Sequence, residues 1–246
     1  MKDLEFVRMV ASKVQSFGGR TFYVGGCVRD KLLGLESKDI DIEIYGITRE
    51  VLVNDILSAF GQVRFQGASF GVYRVSDYDV DIAFPRTENA VGKCHRDFTV
   101  CVDSNLSFEE ATVRRDFTIN AMLQDVLTGE IIDLYGGQDD LKNGIIRYVN
   151  ATSFVEDALR VFRAAQFAAR FDFMIADETK NLMKTIDTRF LSKERVYGEL
   201  KKSIVIIIKT VTIFRRITSR KSVRFLVSRD FVNVRMWSES GISSRR

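Results

Sequence analysis

The chain has 246 residues, of which 46% are hydrophobic and 28% charged, proportions of a globular fold with enough length to bury a core without covalent staples. Three cysteines, Cys27, Cys94 and Cys101, form no CxxC pair and are odd in number, which argues against a disulfide framework or zinc site and points to a reducing, cytoplasmic setting. The net charge of +4 is uneven, because ten Lys and Arg face two Asp and Glu between Ser203 and Arg246; such an end suits a polyanionic partner or a solvated tail.

The elements read as follows. Leu4, Phe6, Val7, Val10 and Val14 recur at helical spacing and predict a helix over about 3–17, closed by Gly18-Gly19. Charges interrupt this segment, so it does not read as a secretory leader. Thr21–Val24 reads as a strand, Gly25-Gly26 as a turn and 28–33 as a helix. DIDIEIY at 39–45 alternates strictly, the mark of a strand with two unlike faces. A helix at 48–60 and extended runs at 63–75 and 78–84 follow. Residues 86–111 show little periodicity and read as a long loop holding His95, the only histidine. Short strands are expected around Leu127–Glu130, before a second double glycine, Gly136-Gly137. From Thr152 to about Lys202 the pattern is helical throughout. The later run Ile204–Ile208 is too short to cross a bilayer, so no membrane association is expected. The expected organisation is an α+β domain over 1–150, a mixed sheet with flanking helices, then an all-helical domain over 151–202 and a basic segment over 203–246.

Two neighbouring features carry chemistry. In the strand at 39–45, Asp39, Asp41 and Glu43 share one face and the isoleucines the other. Aligned carboxylates repel unless a positive charge sits among them, and Mg²⁺ prefers carboxylate oxygens together with substrate phosphates. An edge strand with a solvated acidic face fits the same pattern. Upstream, Gly25 and Gly26 follow a strand and open a helix, where backbone N–H groups can cradle phosphate. Arg29, one turn on, can reach the same anion. Together they supply the two halves of a nucleoside triphosphate site.

At these residues the chain resembles the head of the class II tRNA nucleotidyltransferase and bacterial poly(A) polymerase family, within the polymerase-β-like superfamily. GGCVRDKLLG and DIDIEIYG match its opening motifs. RRDFTINA at 114–121, LYGG at 134–137 with Asp140-Leu141 and Ile146-Arg147, EDALR at 156–160, and Glu194-Arg195 with Glu199 follow in the family's order. The resemblance covers about 20–200. It implies a polymerase-β-like head followed by a helical neck, and addition of CMP and AMP from CTP and ATP to the 3′ end of tRNA, with Asp39 and Asp41 holding catalytic Mg²⁺. Asp81 is a candidate third carboxylate. Asp116 offers an acceptor for a ribose hydroxyl and Arg115 a donor for phosphate or sugar, although Asp116 fits equally as a plain helix N-cap. By resemblance Asp157 and Arg160 read the base, and Arg163 supports them. From spacing alone these three are also a salt-bridged surface face. Gln166 stands where the family often has a further Arg.

The shared motifs leave CCA addition, poly(A) tailing and partial CC or A addition as alternatives, with an inactive RNA-binding remnant as a fourth. After Lys202 the resemblance stops, and the β-branched, arginine-rich stretch that follows reads as a shortened or altered end. The oligomeric state is left open.

Overall fold

The computed structural model describes residues 2–37, 39–66, 71–90, 98–199 and 201, together with the backbone of two strands at 224–227 and 234–237. His95, Cys94 and most of the basic segment lie outside the described residues. The chain divides into two compact units, Met1–Asp157 and Ala158–Arg246.

The first unit is built on a seven-stranded sheet in the order β3-β4-β5-β2-β1-β8-β9. The strands are β1 (Arg20–Val24), β2 (Ile40–Tyr45), β3 (Val63–Gln66), β4 (Val72–Val75), β5 (Val80–Ala83), β8 (Leu123–Asp125) and β9 (Ile131–Ile132). All neighbours are antiparallel except β2 and β5, which run parallel. The isoleucine face of β2 is core, with Ile42 and Ile44 fully buried. Helix α1 (Lys2–Ser16) buries Phe6, Val7, Val10, Ala11 and Val14, the stripe read from the sequence. Phe6 stacks on Tyr78 at 3.9 Å between ring centroids. Gly19 lets the end of α1 turn tightly into β1, since a Cβ there would lie 2.6 Å from the Tyr45 carbonyl.

Local structure departs from the sequence reading in places. The segment expected as a helix at 48–60 is helical but irregular, a widened turn at Val51–Ile56 followed by a tightened one at Leu57–Phe60. The expected loop at 86–111 contains an antiparallel ribbon, β6 (Arg86–Ala90) with β7 (Phe98–Val102), and helix α3 (Phe108–Thr112). A two-stranded ribbon need not present an apolar face, so period-2 alternation is weak there. Helix α3 is only five residues long and is set by a capping box between Ser107 and Glu110. The short strands expected around Leu127–Glu130 are β8 and β9, and Leu127–Glu130 is the turn between them, where Asp125 accepts from the N–H groups of Leu127 and Thr128, both at 2.9 Å.

After α4 (Gly137–Asn143) and β10 (Ile145–Ile146) comes α5 (Ala151–Glu156), capped by Asn150. The second unit holds α6 (Leu159–Phe171), the two-residue strand β11 (Met174–Ile175), α7 (Asp177–Met183) and a helical stretch at 193–199. Its last described elements are the paired strands β12 (Arg224–Val227) and β13 (Val234–Trp237). The helical pattern expected from Thr152 onward is broken at Asp157, whose backbone is extended. Asp is a weak helix former because its carboxylate competes for nearby backbone N–H groups. Asp157 therefore does not share a helix face with Arg160 and Arg163, which lie on α6.

Candidate active site

The carboxylate face of β2 is graded along its length. At the Tyr45 end it is apolar, where Tyr45, Phe22 and Phe108 meet edge to face with centroids 5.0–5.4 Å apart. In the middle stands Glu43, 4% exposed. Arg115 Nη2 donates to Glu43 Oε1 at 2.9 Å, and Arg114 Nη2 lies 3.5 Å from the same oxygen. Tyr45 Oη donates to Glu43 Oε2 at 3.1 Å. Burial, then the charge of Glu43, pushes the Tyr45 phenol well up, so it stays a donor. Glu43 was read as one of three aligned carboxylates wanting a cation; its positive partners are the two arginines of RRDFTINA.

At the other end the charges are not compensated in this way. The parallel ladder sets Asp41 directly beside Asp81, and Asp39 lies just before the start of β2. Among the described residues no side chain donates to the Asp41 carboxylate. Burial and the facing Asp81, opposed by Arg115, push Asp41 up to about 6. Asp81 is held by Arg74 Nε, from the adjacent strand β4. Cys27, buried next to Asp41, has its thiol pushed up by burial and by that carboxylate, so it is an inert filler at neutral pH.

The double glycine lies against this face. Gly25 has φ 67°, and a Cβ there would come 3.0 Å from Arg115 Nη1; a Cβ on Gly26 would come 3.2 Å from Arg29 Nη2. The glycines thus leave room for two guanidinium groups. Helix α2 (Gly26–Leu32) carries Arg29, which is 4% exposed. Its Nε donates to Asp30 Oδ1 at 2.8 Å, and its Nη1 donates to Asn120 Oδ1. Arg115 Nη1 donates to the Asn120 carbonyl at 3.4 Å, while Arg115 Nε is buried without a partner among the described residues.

Asp116 is buried at the start of the tight turn Thr118–Asn120. Its Oδ1 accepts from the Phe117 N–H at 2.8 Å and from Asn120 Nδ2 at 2.9 Å. The turn is anchored from the LYGG side. Thr118 Oγ1 donates to Asp140 Oδ2 at 2.7 Å, and Arg147 Nε donates to the same oxygen at 3.0 Å. The Asp133 carboxylate caps α4 by accepting from Gly137 N and Gln138 N, both at 2.8 Å. Any side chain on Gly137 would collide with the Thr118 carbonyl. The linker motif is therefore scaffolding for RRDFTINA. In the second unit, Arg163 Nη1 lies 4.0 Å from Glu199 Oε1, and its guanidinium sits 5.3 Å from the Phe167 ring centroid.

The structure thus brings Asp39, Asp41, Asp81, Gly25, Gly26 and Arg115 to one region of the first unit, with Asp116 and Arg29 linked to it through Asn120. Tyr45, Arg74 and Asn120 had no assigned part in the sequence reading. Their signal lay in long-range pairing, which no local pattern carries. Among the described residues no three His, Cys, Asp or Glu side chains form a ready-made metal-ligand cluster, and no helix is long and apolar enough to cross a membrane. The donor set nonetheless fits a divalent cation that also takes substrate phosphates and water. Mg²⁺ is commonly held by one or two carboxylates, and the raised Asp41 carboxylate lacks a positive neighbour hydrogen-bonded to it.

Residues 21–147 match the Poly A polymerase head domain. The chain is 40% identical over 190 residues to the Multifunctional CCA protein of Neisseria gonorrhoeae, covering 76% of this chain and 44% of that protein; it spans about half the length of the curated relatives it matches. Its fold superposes on the Bacillus stearothermophilus CCA-adding enzyme in complex with CTP with a TM-score of 0.67, at 28% identity, over 82% of this chain and 49% of the other. The Thermotoga maritima CCA-adding enzyme complexed with tRNA gives a TM-score of 0.66 at 27% identity, over 90% and 53%.

Proposed function

Because this chain belongs to the poly A polymerase head domain family, we propose that it is a template-independent RNA nucleotidyltransferase that adds CMP and AMP, from CTP and ATP, to the 3′ end of tRNA. The observation that carries the reading is the pairing of Asp41 with Asp81 across β2 and β5, with Asp39 alongside and Gly25, Gly26 and Arg115 adjacent. Relatives named for CCA addition favour that product over poly(A) tailing.

Asp39 and Asp41 would hold Mg²⁺, with Asp81 as a third carboxylate close by. When bound, the ions supply neutralisation of charge on the attacking 3′-OH and on the leaving pyrophosphate. The protein itself supplies alignment. The Gly25-Gly26 turn and Arg115, with its unused buried N–H, bind triphosphate. Asp116 accepts from the ribose 2′-OH, the group that separates RNA precursors from DNA precursors. Asp157 and Arg160 present an acceptor and a donor to the base edge, and Arg163, braced by Glu199, supports them. Phosphoryl transfer asks mainly for positioning and charge stabilisation, so no covalent enzyme intermediate is required.

The test is incubation of the 246-residue chain with tRNA lacking its 3′ CCA, with labelled CTP and ATP separately and together. Addition limited to CCA supports the proposal. A long A tail supports the poly(A) reading, and no incorporation with retained tRNA binding supports an RNA-binding remnant.

A further inference from the structure

The side-chain amide of Asn120 is used at both ends. Its Oδ1 accepts from Arg29 Nη1, and its Nδ2 donates to Asp116 Oδ1 at 2.9 Å. All four residues of the chain Asp30–Arg29–Asn120–Asp116 are buried, Asn120 being 6% exposed. The amide has only one tolerable orientation. Reversed, it would set its NH₂ against a guanidinium and its oxygen against a carboxylate, two repulsions in place of two bonds. A guanidinium donating to Oδ1 also polarises the amide and strengthens the N–H that holds Asp116.

We infer that Asn120 is a positioning residue for sugar selection. It fixes the carboxylate of Asp116 for the ribose, and Arg29 acts by holding the Asn120 amide the right way round rather than by binding phosphate directly. The χ2 well of an Asp is broad, so its hydrogen bonds decide where the carboxylate points. Two donors on one oxygen, the Phe117 N–H and Asn120 Nδ2, fix that oxygen and thereby set the direction of the other. The inference rests on the reading of Asp116 as the ribose acceptor.

Equilibrium binding of CTP and of dCTP to the full chain, with Mg²⁺ present, tests it without depending on turnover. Three variants are compared with wild type: Asn120→Asp, Arg29→Met and Asp116→Ala. Asn120→Asp keeps an acceptor for Arg29 but faces Asp116 with a second carboxylate. Its ratio of dCTP to CTP Kd should fall about tenfold, the scale of one charge-assisted hydrogen bond. Arg29→Met should lower the same ratio, because it releases the amide. A direct phosphate contact at Arg29 would weaken CTP and dCTP alike and leave the ratio unchanged, which overturns the role given to Arg29. If Asp116→Ala collapses the ratio while Asn120→Asp does not, Asn120 is only structural and the inference fails. If Asp116→Ala leaves the ratio intact, the ribose reading has failed and this inference falls with it. Should Asn120→Asp not fold, Arg29→Met still decides whether the network sets the ratio.

Discussion

The two ends of strand β2 put the same chemistry, a carboxylate on the same face, to opposite uses. Glu43 is the more deeply buried, yet its charge is matched by Arg115, Arg114 and Tyr45. Asp41, two residues away and less buried, faces Asp81 and is raised to about 6. Strand alternation puts both groups on one face, but the neighbours decide their roles. Where a buried carboxylate is fully paired, it ties one part of a site to another. Where it faces its own kind, no hydrogen-bonded cation compensates its charge, which is what the proposed Mg²⁺ site asks of it.

That contrast can be broken experimentally. The largest effect is expected for Asp41→Asn. Incorporation should fall by about a thousandfold or more, since charge stabilisation of the transferring group is lost. The melting temperature should not fall, because a neutral amide relieves the opposition to Asp81. Adding Mg²⁺ should raise the melting temperature of the wild type and not of this variant. A cooperative unfolding loss in Asp41→Asn would mean that Asp41 is structural after all.

Glu43→Gln should do the reverse. Leaving two arginines without their buried counter-charge should cost about 3 kcal/mol of stability, measured by denaturant unfolding, and should lower activity only as a consequence. Arg115→Lys sharpens the comparison. Lysine restores the charge but not the fork that reaches Glu43 and the Asn120 carbonyl together, so a loss of about 1–2 kcal/mol is expected, with weaker binding of CTP and dCTP alike. The smallest effect belongs to Tyr45→Phe. It removes one hydrogen bond to Glu43 and keeps the ring against Phe22 and Phe108, for a loss of about 1 kcal/mol and unchanged nucleotide affinity by equilibrium titration.

Much of this was legible in the sequence. Strict alternation in DIDIEIY gave the two faces of β2, the apolar stripe gave α1, and the ordered motifs gave the family and the mixed α+β head. What no local pattern carries is contact between distant segments. Asp81, the candidate third carboxylate, is two residues from Asp79 and looks much like it; the parallel register with β2 is what sets it beside Asp41. Arg29 reads as a phosphate donor one turn into a short helix, and its burial against Asp30 and Asn120 follows from the packing of α2 on the Thr118–Asn120 turn. The break at Asp157 lies in a stretch whose apolar spacing is continuous, because backbone geometry and hydrophobic period are separate signals there. The capping box of α3 is legible in Ser107 and Glu110, three residues apart, within the stretch that reads as a loop.

The lone parallel pairing in the sheet also governs the order of assembly. Parallel neighbours cannot be joined by a tight turn, so β2 and β5 meet only after the whole run from Gly46 to Asp79 has closed on itself. Contacts with such sequence separation slow folding, because the loop must close before they are made. The Asp41–Asp81 pair is thus a product of the docking of the β3-β4-β5 meander on β2, a step that sets two negative charges side by side. Arg74 lies on β4, within that meander, and holds Asp81 through a local antiparallel contact. The meander thus carries the counter-ion of Asp81 within itself, and the acidic centre needs no cation from β2 to hold that carboxylate.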